Sequence, residues 1–392
     1  MSVLQALQSR AAPFVALRHD LHRHPELGLQ EFRTSELLAK QLQSWGYSVT
    51  RGLATTGLVA QLRRGSGSKR LGLRADMDAL PIHEANDLAH CSVHAGVMHA
   101  CGHDGHSAML MAAAQYIAQE VEFSGTLNLI FQPAEEHPGG AKIMIEEGLF
   151  ERFPCDAIFA AHNMPGVPAG QLVFIEGPAM ASSDDVTITL TGLGGHGAMP
   201  HRAQDPIVAA AAIVMTLQTI VSRNVDPQHT AVITVGSLIA GKANNVIPAS
   251  ARLELSVRSL DREVRNLLQE RITTLVTAQA QSLGVQAHID YKRVYPVLVN
   301  TPAETELARQ VGTELLGAER VTRQGRPLTG SEDFAFMLEH CPGSYFMIGN
   351  GAGEGHPEHA CMVHNPGYDF NDGILPVGAA FWALLTQRYL KD

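Results

Sequence analysis

Within the nine residues Met98-His99-Ala100-Cys101-Gly102-His103-Asp104-Gly105-His106 the chain carries a thiol, three imidazoles and a carboxylate. Cys101 and His103 stand one residue apart, so in a turning loop both side chains can converge on one point. Thiolate and imidazole are preferred donors for zinc-like divalent ions. Gly102 and Gly105 permit a tight backbone. From Ser107 the run Ala-Met-Leu-Met-Ala-Ala-Ala-Gln-Tyr-Ile-Ala predicts a buried helix. Its N-terminal dipole favours a thiolate beside it. Taken singly, a cysteine is most often a small buried apolar residue and a histidine a hydrogen-bonded structural one. Taken together, so many polar groups are costly to bury unless something binds them. A thiol nucleophile, Cys101 activated by His103, is the competing chemistry.

The elements around the cluster separate these readings. A strand at 70–75 runs into Asp76 and Asp78, one at 125–132 into Glu135 and Glu136, and one at 156–161 into His162. Residues just past the carboxyl ends of parallel strands lie where open α/β sheets bind ligands. A thiol hydrolase has no use for a glutamate pair and further histidines at strand ends, whereas a metal site uses them all. Of two adjacent carboxylates, one can bind metal while the other moves protons. His364, at the head of a turn before the C-terminal helix, is the last ligand candidate. Two helices are expected within 3–45; the break between them carries His22 and His24, read as structural. A glycine-rich loop is expected at 349–355.

Residues 186–294 interrupt the alternation with strand 186–191, helix 206–223, strands 231–239 and 251–259, helix 261–282 with Asp261 as N-cap, and strand 285–291. The order βαββαβ is the ferredoxin-like split motif. Segments 1–185 and 295–392 then form the two parts of one sheet domain around this insert. The insert has polar groups of its own: His196 and His201 in a glycine-rich loop, Asn245 in a polar turn, and Arg258 on a strand. Asparagine and arginine suit a substrate amide and carboxylate. Ser331, before an apolar helix, is either a cap or a binding group.

The 392 residues are enough for two domains, and 45% hydrophobic with 17% charged is a globular composition. A net charge of −10 argues against nucleic acid or an anionic membrane as partner. No unbroken run of about 18 apolar residues is present, so no membrane span is expected. Residues 1–20 lack the apolar core of a signal peptide. The five scattered cysteines fit reduced thiols in a cytoplasmic protein.

In this order, several motifs resemble the hippurate hydrolase and auxin-conjugate amidohydrolase family, a branch of the aminoacylase and carboxypeptidase group of dimetal hydrolases. They are His24-Pro25-Glu26-Leu27, Leu73-Arg74-Ala75-Asp76-Met77-Asp78-Ala79-Leu80-Pro81, the 98–106 cluster, Gln132-Pro133-Ala134-Glu135-Glu136, Gly194-Gly195-His196-Gly197-Ala198, Asn245-Val246-Ile247-Pro248, Gly330-Ser331-Glu332-Asp333-Phe334 and His364-Asn365-Pro366. The resemblance implies an α/β dimetal-hydrolase sheet domain with helices on both faces, and an inserted ferredoxin-like lid and dimerisation domain. It implies two divalent ions held by Cys101, His103, Glu136, His162 and His364, zinc or manganese first, with cobalt or nickel as further options. It implies Glu135 as general base in the cleavage of N-acyl amino acids, and a homodimer or dimer of dimers in which His196 reaches the partner's active site. Asn245, Arg258 and Ser331 are the expected substrate-binding groups. Asp76 and Asp104 are expected to orient ligand imidazoles. A dipeptidase of the same chemistry and a non-catalytic metal or thiol protein are the alternatives. One departure falls in Ala89-His90-Cys91-Ser92-Val93-His94, where the family has a proline and an aromatic residue. This loop is a candidate wall of the acyl pocket.

Overall fold

The computed structural model describes residues 1–351 and 361–391; of the expected glycine-rich loop, residues 352–355 lie outside them. The chain divides into two compact units, one of Met1–Gly177, Val299–Arg326 and Phe336–Asp392, the other of Pro178–Leu298 and Pro327–Ala335.

The first unit begins with three helices, α1 (Val3–Ser9), α2 (Ala12–Arg23) and α3 (Phe32–Ser44). Two were expected in this stretch. The first is split off because Ser2 and Gln5 form a capping box and Pro13 restarts the helix in the first turn of α2. The strands are β1 (Ser48–Leu53), β2 (Gly57–Arg64), β3 (Arg70–Asp76), β4 (Gly125–Gln132), β5 (Ala157–Pro165), β6 (Leu172–Val173), β13 (Val321–Thr322) and β14 (Gly343–Gly351), in the order β1-β2-β4-β3-β5-β14-β6-β13. The centre, β4-β3-β5-β14, is parallel. Its strands are almost wholly buried, which matches their continuous apolar runs. Because these strands are parallel, Asp76, Gln132 and His162 emerge toward the same edge.

Helix α4 (His103–Glu120) is the core helix of this unit; thirteen of its residues are buried. It starts four residues before the Ser107 expected from the apolar run. Gly102 supplies the left-handed entry at φ +88°. Asp104 places a negative charge in the first turn, which the dipole favours. Gly105, which weakens the helical pattern in the sequence, is required by packing: a Cβ there would lie 2.4 Å from the Phe370 ring.

The second unit is built from β7 (Ser182–Thr191), α5 (Pro206–Arg223), β9 (Ala231–Ala240), β11 (Ser250–Ser259), α6 (Arg262–Ser282) and β12 (Gln286–Tyr295). The antiparallel sheet order is β9-β11-β7-β12. This is the split βαββαβ arrangement. Asp261 caps α6 through the amides of Glu263 and Val264. A separate ribbon pairs β8 (Gly195–His196) with β10 (Val246–Ile247). By length and composition alone, α5 would suffice to cross a bilayer. Its Ala209, Ala210, Ile213, Leu217 and Ile220 instead pack into the core of this unit.

Gly105→Ala is expected to destabilise the first unit by about 1–3 kcal/mol, the usual cost of overpacking a full core. Denaturant unfolding would check it; a midpoint equal to that of the parent chain would contradict the packing at Phe370.

Candidate metal centre

Two strands and one helix start converge in the first unit. Cys101 comes from the loop before α4, His103 from its first residue, Glu135 and Glu136 from the turn after β4, and His162 from β5. One donor atom each of Cys101, His103 and His162 lies within 4.8 Å of the others. The same holds for Cys101, Glu136 and His364, and for His103, Glu135 and Glu136. Cys101 belongs to two of these groups, so a shared thiolate could link two ions.

Each imidazole is turned by a second bond. His103 Nδ1 faces the Asp78 carboxylate at 3.1 Å and the Asp78 carbonyl at 3.0 Å. Its Nε2 is buried without a hydrogen-bond partner and lies 4.0 Å from Glu136 Oε1. His162 Nδ1 donates to the Asn163 carbonyl at 2.6 Å, leaving Nε2 to face Cys101 Sγ at 3.3 Å. His364 Nε2 lies 3.0 Å from Glu136 Oε1. His364 is the only one of these residues that is exposed, with its amide bonded to the Ala100 carbonyl at 2.7 Å. A buried Nε2 without a hydrogen-bond partner, facing carboxylates and beside a thiol and two more imidazoles, fits a divalent cation.

The electrostatics agree. Burial disfavours a charged His103, yet Asp76, Asp78 and Glu136 outweigh it and drive its pKa up to about 10. Burial, then Glu136, Glu135 and Asp76, push the Cys101 thiol well above its ordinary value. This reverses the dipole expectation, because burial first and then the surrounding carboxylates outweigh the helix end. It also argues against a thiolate nucleophile, which needs a lowered pKa. A bound cation would reverse the balance and deprotonate the thiol. His162 is held well below its ordinary value, by burial first and then by His106. It is therefore a neutral donor.

Asp76 pairs with residues behind the centre. It accepts from Arg74 at 2.8 Å and from His106 Nδ1 at 2.6 Å. Asp78 is the carboxylate that hydrogen-bonds the ring of the ligand candidate His103, while Asp76 Oδ2 lies 3.7 Å from the other ring nitrogen, Nε2. The other Asp78 oxygen accepts from the Glu136 amide at 2.9 Å. Asp104 also departs from expectation: it faces His22 at 2.9 Å and Arg18 at 3.5 Å, and bonds to no ligand candidate. Sequence reasoning passed over Asn163 and Tyr368. Asn163 Nδ2 donates to the Cys101 carbonyl at 2.7 Å, and Tyr368 donates to Asn163 Oδ1 at 2.6 Å. Gly102 leaves room for this clamp, since a Cβ there would lie 2.4 Å from Asn163 and 2.5 Å from Tyr368.

The other expected residues are in the second unit. His196 and Asn245 lie on the ribbon of β8 and β10, where the Gly197 amide bonds to the Asn245 carbonyl at 2.8 Å. The Ala198 amide donates to His196 Nδ1 at 3.0 Å, which leaves the ring proton on Nε2. Arg258 donates to Ser331 Oγ at 2.9 Å. The 89–94 loop is tied to other parts of the first unit. His90 Nε2 meets Asp369 at 3.0 Å and Arg18 at 3.1 Å, and Cys91 Sγ accepts from the Leu88 amide at 3.1 Å.

Residues 72–388 match the profile of peptidase family M20/M25/M40. Over 391 residues the chain is 43% identical to a hippurate hydrolase of Campylobacter jejuni, covering 100% of both chains. It is 40% identical to an N-acetyldiaminopimelate deacetylase of Geobacillus thermodenitrificans, covering 90% of this chain and 93% of that one. A solved dinuclear metal-binding peptidase of the M20 family from Bacillus subtilis superposes with a TM-score of 0.83 at 30% identity, covering 98% of this chain and 99% of that one.

Two outcomes follow from this geometry. Asp78→Asn should weaken metal retention roughly 10- to 100-fold, as loss of a ligand's orienting partner does; dialysis against graded chelator with metal analysis measures it. Protons on His103 and Cys101 must leave when a cation enters. Apparent metal affinity should therefore rise with pH, roughly tenfold per unit for each proton released. Competition titrations at several pH values would show this, and a flat profile would contradict it.

Proposed function

The chain belongs to peptidase family M20/M25/M40, and from that premise we propose that it is a metal-dependent amidohydrolase cleaving the amide bond of N-acyl amino acids of the hippurate type. The observation that carries the reading is the glutamate pair. Glu135 and Glu136 both present an oxygen within 4.8 Å of His103, one carboxylate more than holding a metal requires. Cys101, His103, Glu136, His162 and His364 would hold two divalent ions. Bound there, the ions supply an acidified water and a Lewis acid for the carbonyl oxygen. A thiolate among the donors favours zinc; manganese, cobalt and nickel are the other options.

Glu135 then does the proton work. It takes a proton from the water as the amide carbonyl is attacked and passes it to the leaving amine nitrogen. The His196 Nε2 proton is a hydrogen-bond donor for the developing oxyanion. Asn245 and the Arg258–Ser331 pair offer an amide and a guanidinium for the substrate's amide and carboxylate. Residues 186–294 act as lid and dimerisation domain between catalytic segments 1–185 and 295–392. Homodimer formation is supported by β9, an edge strand whose Leu238 and Ile239 are exposed, and by the exposed Met215 of α5. A small acyl amino acid, with neither nucleic acid nor membrane, is the partner that the net charge favours, and five free cysteines suit a cytoplasmic setting.

Hippurate, a panel of N-acyl amino acids and dipeptides should be assayed before and after chelation. Activity on the acyl amino acids should vanish with the metal and return on zinc or manganese add-back; preference for dipeptides would contradict the substrate class. Glu135→Gln should keep its metal and lose at least about 100-fold in kcat, the contribution of a general base. A normal rate in that variant would remove Glu135 from the mechanism.

A further inference from the structure

The turn that presents Glu135 and Glu136 has an unfavourable backbone. Ala134 sits at φ +52°, in the left-handed region that residues with a Cβ disfavour. It is fully buried, so solvent does not select this conformation. Its carbonyl is held by the amides of Gly139 and Gly140 at 3.1 and 2.9 Å. Its amide donates to Oε1 of Glu31 at 2.9 Å. Glu31, at the start of α3, is itself fully buried. Its Oε2 accepts from Thr56 Oγ1 at 2.5 Å. Thr56 ends the tight turn joining β1 to β2, where Ala54 and Thr55 also have positive φ, and where the Ala54 amide is bonded to Glu147 at 2.7 Å.

We propose that Glu31 is a positioning residue for the reaction: its carboxyl, fixed by Thr56, holds Ala134 left-handed and so aims Glu135 at the reacting atoms. The inference rests on the reading of Glu135 as general base. Glu31 touches neither the ligand candidates nor the groups assigned to substrate. Burying a carboxyl here is costly, and burial pushes its pKa up to about 7. A core position that served packing alone would be filled more cheaply by an apolar side chain. Both of its oxygens are instead used to fix backbone and hydroxyl geometry on either side of the catalytic turn. Glutamine can keep both contacts, since its oxygen accepts from the Ala134 amide and its NH2 donates to Thr56. Glycine at 134 would adopt the left-handed conformation unaided.

The test compares Glu31→Ala, Glu31→Gln, Thr56→Val and the double variant Glu31→Ala/Ala134→Gly in the metal-loaded enzyme, with Glu135→Gln as control. Each is read for kcat, KM, metal content and thermal unfolding. Glu31→Ala should lose roughly 30-fold in kcat with KM within about threefold and metal retained, because small misplacements of a catalytic group are costly in rate. Glu31→Gln should return to within about fivefold of the parent, and the glycine double variant should recover about tenfold of the loss. Thr56→Val should lower kcat several-fold with metal retained and the protein still folded at the assay temperature, which keeps the test decisive if Glu31→Ala folds poorly. Overturning results are an unchanged kcat in both Glu31→Ala and Thr56→Val, or losses that track missing metal or unfolding and are not recovered by glycine at 134. An active Glu135→Gln control would instead show that the reading of Glu135 has failed.

Discussion

The constraint on which the first unit depends is the cost of keeping a thiol, several imidazoles and several carboxylates in one dry space. An unpaired charge buried in protein costs several kcal/mol even after relaxation, and here the counter-charge is supplied in layers. Arg74 and His106 answer Asp76, and Asp78 answers His103. What remains is a loosely held set: His103 Nε2 has no hydrogen-bond partner and lies 3.7 Å from Asp76 and 4.0 Å from Glu136, with Cys101 and His162 beside it. A cation completes the balance. Burial and the acidic neighbours hold the thiol protonated in the bare protein, and those neighbours are placed to become ligands or bases once positive charge enters.

The sheet and helix α4 then follow as the means of meeting that constraint. Parallel strands place their carboxyl ends on one edge, so Asp76, Glu135 and His162 arrive together. The left-handed Gly102 brings Cys101 and His103 to the same edge from the start of the helix. Backbone anchoring is as important as the ligands. The Asp78 carboxylate bonds both the His103 ring and the Glu136 amide, which couples two donors through one residue. Asn163 and Tyr368 fix the Cys101 carbonyl.

The ligand candidates were legible in the sequence because few residue types bind metal and because strand patterns ended where those residues stood. The ferredoxin-like insert was legible because its helices are long, periodic and capped, as Asp261 shows. The start of α4 was not, since His103, His106 and Gly105 are poor helix signals and only the Phe370 ring explains the glycine. Exchanging Asp104 for Asp78 as the partner of a ligand imidazole was equally hidden. Asp104 lies inside the 98–106 cluster and Asp78 well before it, and only the packing of α2 reveals that His22 and Arg18 claim Asp104. The resemblance to known amidohydrolases supplied expectations that residue chemistry alone left open, namely two ions and a role for His196 in the partner's site.

The central claim is that Cys101 is a metal ligand in a two-ion centre. Loading metal-free protein with cobalt while recording the near-ultraviolet and visible spectrum tests it most directly. The account predicts saturation near two ions per chain and a thiolate-to-cobalt charge-transfer band that disappears in Cys101→Ser. The contradicting result is saturation without that band, with amide hydrolysis that survives chelation and ends when Cys101 is alkylated.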